Sequence, residues 1–299
     1  MKIAILGARG GWHEARLVEA LEARCIAPTV VPITRLIGEI GGTVALADQG
    51  VVLDECDAVV VRAIPGGSLE QIIFRVDALH RLTRLGIPVI NGPRCIERSV
   101  DKYHTSCLLE EAGLPTPRTI ACERFEDAMA ALETLGGDVV LKPLFGAEGR
   151  GMARISDPDI AYRTFRALEL TRSVYYLQAY VPHEERDIRA FVVGDSVLGA
   201  MIRHGRGWKT NVAQGATVEA MDLPPDLGKL AVEAARVVEA DYAGVDLLPH
   251  ADGGHFVLEV NGIPGWQGLQ RTTAVDVAGA IADHLLSRLA RRPAAGATP

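Results

Sequence analysis

Two carboxylates and one carboxamide stand close together late in the chain: Asp246 within AGVDLLP, and Glu259 with Asn261 within HFVLEVN. Both segments read as strands of one hairpin. Glu259 and Asn261 are two apart, so they point to the same face. Asp246, on the neighbouring strand, is expected to face them. Two carboxylates and an amide oxygen form a hard donor set suited to a magnesium ion that bridges phosphates. The alternative is a pair of edge carboxylates in water. The apolar neighbours Val245, Leu247, Leu258 and Val260 argue against it, because burying two carboxylates without a cation is costly.

A second group lies upstream. Lys142 ends the strand DVVLKP, and Gly146, Glu148, Gly149, Arg150 and Gly151 follow. Glycines let backbone N–H groups fold over an anion, and a lysine at the strand end holds a phosphate as a point charge. The spacing is neither a Walker A loop nor a dinucleotide G-x-G-x-x-G. A plain hairpin turn with a solvated lysine is the competing reading. Asp187 and Arg189 share a strand face, with a simple charge pair as the alternative. Trp208, Lys209, Thr210 and Asn211 form a polar loop tip, and Lys102 opens a helix. No Ser-His-Asp or Cys-His arrangement stands out, and His104 and His204 read as surface or supporting residues.

The chain has 299 residues, and its charge sum, 31 basic minus 38 acidic, is −7. That balance argues against general nucleic-acid binding. Five cysteines without C-x-x-C spacing fit a reducing cytoplasm rather than a disulfide framework or zinc site. The N-terminal IAILGA reads as a strand rather than a signal peptide, and no apolar run approaches a membrane span of ~20 residues.

These residues need positioning elements. Residues 1–94 alternate strands and helices, with strands in 2–7, 28–33, 57–63 and 86–91 and helices over 12–24 and 68–85. This predicts a Rossmann-like parallel sheet with helices on both faces. Leu17, Val18 and Leu21 form one apolar stripe; Leu69, Ile72, Ile73, Val76 and Leu79 form another. Residues 95–181 hold a helix from Asp101 to Ala112, the strand and glycine loop around Lys142, a helix capped by Asp157 with Pro158 at its first position, and the strand 175–181. Residues 182–290 hold a hairpin over 188–204 turning at Gly194-Asp195, a helix from Pro224 to Glu239, the hairpin of Asp246 and Glu259 turning at 251–254, and a helix from Val275 to Leu289. Residues 291–299 read as a frayed, disordered tail.

Together and in this order, Asp101-Lys102, VVLKPLFGAEGRGM, LQAYV, DIRAFVVGD, WKTNVAQG, AGVDLL, LEVNGIPGW and TTAVDVAGAIADHL resemble the ATP-grasp superfamily over about residues 1–290. Within it the chain looks most like the family of RimK and the related lysine-biosynthesis and tetrahydromethanopterin ligases. The resemblance implies an α/β (mixed α+β) ATP-grasp fold behind an N-terminal pre-ATP-grasp domain. It also implies an ATP- and Mg2+-dependent carboxylate-amine ligase, Mn2+ serving as a possible substitute. By resemblance, Lys102 and Lys142 contact phosphates and Gly146, Gly149 and Gly151 belong to a lid. Gln178, Ala179, Tyr180 and Val181 form the adenine hinge, and Asp187 lies near the ribose. Lys209 and Asn211 lie near ATP and the amino acid, Arg189 and Arg203 near the transferring phosphate or a substrate carboxylate. Asp246, Glu259 and Asn261 hold the metal.

Relatives often carry glutamate where Ala179 stands, a departure at the hinge. Gly262-Ile263-Pro264-Gly265-Trp266 looks closer to the small-molecule branch, so the resemblance implies addition of L-glutamate to a carboxylate-bearing cofactor tail (tetrahydromethanopterin or methanofuran type). A protein C-terminus or carrier protein is the alternative acceptor. Homo-oligomers are common among such relatives; neither nucleic acid nor membrane is an expected partner. Two rivals remain. An ATP-sensing scaffold would have lost the metal ligands, and a dinucleotide oxidoreductase would need a different glycine spacing after the first strand.

Overall fold

The computed structural model describes residues 1–42, 46–48, 50–146, 149–249 and 253–291. Glu148, residues 251–252 of the expected turn at 251–254 and the tail from 292 lie outside the described residues. The chain starts with β1 (Ile3–Leu6), α1 (Trp12–Glu22) and β2 (Thr29–Val31). A small antiparallel sheet follows: β3 (Ile37–Gly38), β4 (Leu46–Asp48) and β5 (Val51–Val52). Then come β6 (Ala58–Val61), α2 (Leu69–Arg84) and β7 (Val89–Ile90). The main sheet is parallel with order β2-β1-β6-β7. IAIL and AVVV are buried throughout, as strands covered on both faces must be. Alternate residues serve opposite cores: Ile3, Ile5, Ala58 and Val60 on one side, Ala4, Leu6, Val59 and Val61 on the other.

The α2 stripe corrects the sequence expectation. Leu79 is fully buried, but Leu69 is 73% exposed and Ile73 49%. Only the C-terminal half of α2, through Ala78, Leu79 and Leu82, packs against the sheet. Helical periodicity shows which residues share a stripe; it does not show how far the helix stays over its sheet.

The central unit contains α3 (Pro93–Val100), α4 (Lys102–Glu111), β8 (Thr119–Cys122), α5 (Phe125–Thr134), β9 (Val139–Lys142), β10 (Ala153–Ile155), α6 (Pro158–Glu169) and β11 (Tyr175–Ala179). Its four strands are antiparallel in the order β10-β9-β11-β8. Asp157 caps α6, as its position before Pro158 predicts. A five-stranded antiparallel sheet follows, ordered β14-β13-β12-β15-β16. It comprises β12 (Arg186–Val193), β13 (Ser196–His204), β14 (Thr217–Met221), β15 (Tyr242–Pro249) and β16 (His255–Asn261). Helix α7 (Pro225–Val237) packs on this sheet, α8 (Gln267–Thr272) lies beside it, and α9 (Val277–Ala290) returns to α1. Among the described residues no helix is long and apolar enough to cross a membrane.

Two side chains fasten the first sheet to the last hairpin. Asn91 donates Nδ2 to the carbonyls of Tyr242 and Gly262, and its Oδ1 accepts from the amides of Asp241 and Tyr242. Arg62 donates to Pro264 O at 2.9 Å and to the Tyr242 hydroxyl at 3.1 Å, and lies 4.5 Å over the Trp266 ring. Both clamp the segment that directly follows Asn261. Asn91→Ala orphans four buried polar groups, so it is expected to lower stability by about 3 kcal/mol, read from the denaturation midpoint.

Candidate active site

The cleft lies between the central sheet and the five-stranded sheet. Lys102, Lys142, Gln178, Ala179, Tyr180 and Val181 line it from the central unit. Asp187, Arg203, Lys209, Asn211, Asp246 and Glu259 line it from the other side. Residues more than a hundred positions apart therefore meet in one place.

Lys142 is the most buried cation on the central side. Its ammonium donates to Gln178 Oε1 at 2.6 Å, and Gln178 Nε2 donates to Thr119 Oγ1 at 3.1 Å. Burial drives the Lys142 ammonium down to about 8; Glu259 and Asp246 pull it back up, and Lys102 pushes it further down. Below that pH the cleft keeps a cation at this position; above it the charge is lost. ADP affinity in metal-free buffer is therefore expected to be flat from pH 6.5 to 7.5 and to fall above about 8, approaching tenfold per unit. Calorimetric titration checks this, and Lys142→Met should remove the pH dependence.

Two lysines tether the glycine loop at its ends. Lys102 donates to Gly146 O at 2.7 Å, and Lys209 donates to Met152 O at 2.9 Å. Gly146, Gly149 and Gly151 have φ of 136°, 69° and 71°, which side chains with a Cβ rarely adopt. A Cβ on Gly149 would lie 2.3 Å from Asn211 Oδ1, so glycine there lets the polar loop approach the chain at Gly149. These three glycines border the cleft without lining it.

The five-stranded sheet carries a buried charge network. Cross-strand register sets Asp187 opposite Arg203, Arg189 opposite Asp246, and Asp246 opposite Glu259. Arg203 Nε donates to Asp187 Oδ1 at 2.7 Å, and its guanidinium also reaches Asp246 Oδ2 at 2.9 Å. Arg189 grips Asp246 with both arms of its fork, at 2.6 and 3.0 Å. The simple Asp187–Arg189 pair allowed by the sequence does not form, because each residue finds a partner on a different neighbouring strand. Burial alone would raise the Asp246 carboxyl, but the two guanidiniums outweigh it and hold it below the ordinary carboxylate range. Burial likewise opposes charge on Arg203, yet Asp246 and Asp187 raise its pKa further. Thr210 joins the network, donating to Asp187 Oδ2 at 2.6 Å. Its role was missed from sequence, although it sits between Lys209 and Asn211. Tyr176 was missed too; its hydroxyl meets Ser106 Oγ at 2.8 Å in the cleft wall.

The expected cation ligands are unequal. The Glu259 carboxylate forms no hydrogen bond or ion pair among the described residues, whereas Asp246 is engaged by two arginines. Asn261 is opposite Gly244 and outside the cleft lining, and its buried Nδ2 has no partner among the described residues. Among the described residues no three His, Cys, Asp or Glu side chains gather as a metal cluster. The set is two carboxylates and an amide, which fits a hard cation once Asp246 is shared.

The N-terminal sheet offers no dinucleotide site. The Glu14 carboxylate fills the turn after β1, accepting from the Ala8 amide at 3.1 Å, and a Cβ on Gly7 or Gly11 would lie 2.4 or 2.1 Å from it. An anion of the protein's own occupies the helix N-terminus that a pyrophosphate would need.

Residues 99–285 match the RimK-like ATP-grasp domain family. The tetrahydromethanopterin:alpha-L-glutamate ligase of Methanococcus maripaludis is 34% identical over 295 residues, covering 96% of this chain and 98% of that protein. The ligase of the same name from Methanocaldococcus jannaschii is 38% identical over 244 residues, 79% of this chain and 80% of that one. Among solved structures, the ATP-grasp ligase PsnB complexed with minimal precursor, Mg and ADP aligns with a TM-score of 0.75 at 23% identity, covering 97% of this chain and 98% of its own.

Proposed function

Because the chain belongs to the RimK-like ATP-grasp family, and so is a ligase that forms carbon–nitrogen bonds with release of ADP, we propose that it uses ATP with Mg2+ to join L-glutamate to a carboxylate on a cofactor tail of the tetrahydromethanopterin or methanofuran type. The observation that carries this reading is the end-to-end similarity to the Methanococcus maripaludis ligase.

The cleft residues suit the two steps. The acceptor carboxylate attacks the γ-phosphorus of ATP, the bond to the bridging oxygen breaks, and ADP leaves an acyl phosphate. The glutamate amine then attacks the acyl carbon, phosphate departs, and the amine gives up a proton. Both steps accumulate charge on oxygen. Lys102, Lys142 and Arg203 supply fixed positive charge where it develops. The hinge from Gln178 to Val181 carries adenine, and Asp187 faces the sugar. Magnesium held by Asp246, Glu259 and Asn261 would neutralise phosphate oxygens, and Mn2+ shares that preference. The lid over Lys102 and Lys209 keeps water from the acyl phosphate. No nucleophilic side chain is required.

Labelling the acceptor carboxylate with heavy oxygen tests the sequence of steps. One labelled oxygen should appear in inorganic phosphate for each amide formed. Unlabelled phosphate would rule out the acyl-phosphate route.

A further inference from the structure

Asp246 is the point where cation and arginine binding compete. Both of its oxygens carry guanidinium hydrogens: Oδ1 from Arg189, Oδ2 from Arg189 and Arg203. Glu259, directly opposite, is bonded to neither arginine. A dication arriving here would meet two positive groups already seated on one of its ligands.

The arginines are not equivalent. Arg203 is held from two sides, its Nε on Asp187 at 2.7 Å and its terminal nitrogen on Asp246 at 2.9 Å. If it loses Asp246 it is still oriented. The hydrogen bonds and ion pair of Arg189 all go to Asp246. Its fork donates to phosphate oxygens as readily as to carboxylate oxygens. Arg189 borders the cleft through Asp246 without lining it; an incoming phosphate seated beside Asp246 would offer it a replacement, and free Asp246 at the moment the cation is needed.

We propose that Arg189 is a positioning residue that latches Asp246, so that the cation binds with the nucleotide and not before it. The proposal rests on the reading of Asp246 and Glu259 as cation ligands. Its consequence is positive coupling between nucleotide and cation, reciprocal in both directions.

The test measures Mn2+ binding by electron paramagnetic resonance on the full chain, with and without ADP. Glu259→Gln supplies the baseline for Mn2+ held by ADP alone. The parent should bind Mn2+ weakly without ADP and at least about tenfold more tightly with it. Arg189→Met should tighten nucleotide-free binding by about tenfold and shrink the ADP effect correspondingly. Arg189→Lys keeps the charge but cannot fork across both oxygens, and should fall between parent and Arg189→Met. Lys102→Met removes one positive charge from the cleft lining without touching Asp246, and should change nucleotide-free binding by no more than about threefold, as a screened charge does. Equal effects of Arg189→Met and Lys102→Met would overturn the latch while leaving ADP- and Glu259-dependent Mn2+ binding intact. Mn2+ binding at the Glu259→Gln baseline in the parent would overturn the cation-ligand reading, and the latch with it.

Discussion

Glu259→Ala should fold and melt like the parent, yet lose on the order of 10³-fold or more in turnover. The two halves of that expectation come from the same observation. The Glu259 carboxylate lines the cleft but makes no hydrogen bond or ion pair among the described residues, so the native packing depends on it only through its attraction for the Lys142 ammonium. Its removal should move stability by no more than about 1 kcal/mol. If it holds the cation that neutralises the phosphates, its loss falls on the chemical step. Initial rates of ADP formation at saturating Mg-ATP, beside a thermal melt, check both halves. Retained ADP formation would remove the metal assignment.

Asp246→Ala should behave differently although it lies directly opposite. It too should abolish turnover, but it also removes the acceptor for both arms of Arg189 and one contact of Arg203. Breaking a buried pair by taking one partner leaves a desolvated charge, at a cost of about 3–5 kcal/mol. For a chain of this size that is a fall of roughly 10 °C in the melting temperature. The contrast between neighbours separates a carboxylate that serves a ligand from one that serves both ligand and fold. Equal stability of the two variants would contradict the network.

Part of the arrangement was legible in the sequence because neighbouring residues of a strand alternate between its faces. The register does place Asp246 opposite Glu259, and both line the cleft, whereas Asn261 lies opposite Gly244 and outside that lining. Lys142 at a strand end before glycines was likewise readable, and those glycines have the left-handed backbone that the loop reading needs. The pairing of charges was not legible. Asp187 and Arg189 share a strand face, but their partners come from strands that flank theirs on opposite sides. Which strand lies on which side is a tertiary fact. Thr210 illustrates the same limit: a hydroxyl in a polar loop gains meaning only when the loop folds onto Asp187. The exposed end of α2 shows the opposite error, a periodic stripe that no sheet covers. Asn91 gave no local signal at all, since its four bonds reach residues 150 to 171 positions away.

The most direct measurement is the mass of the acceptor after incubation with the protein, Mg-ATP and L-glutamate, with ADP followed in parallel. A tetrahydromethanopterin- or methanofuran-type acceptor should gain glutamyl units, one ADP appearing for each. Acceptors unchanged in mass across a panel of cofactor, peptide and carrier-protein carboxylates would contradict the account, whether or not ADP is released.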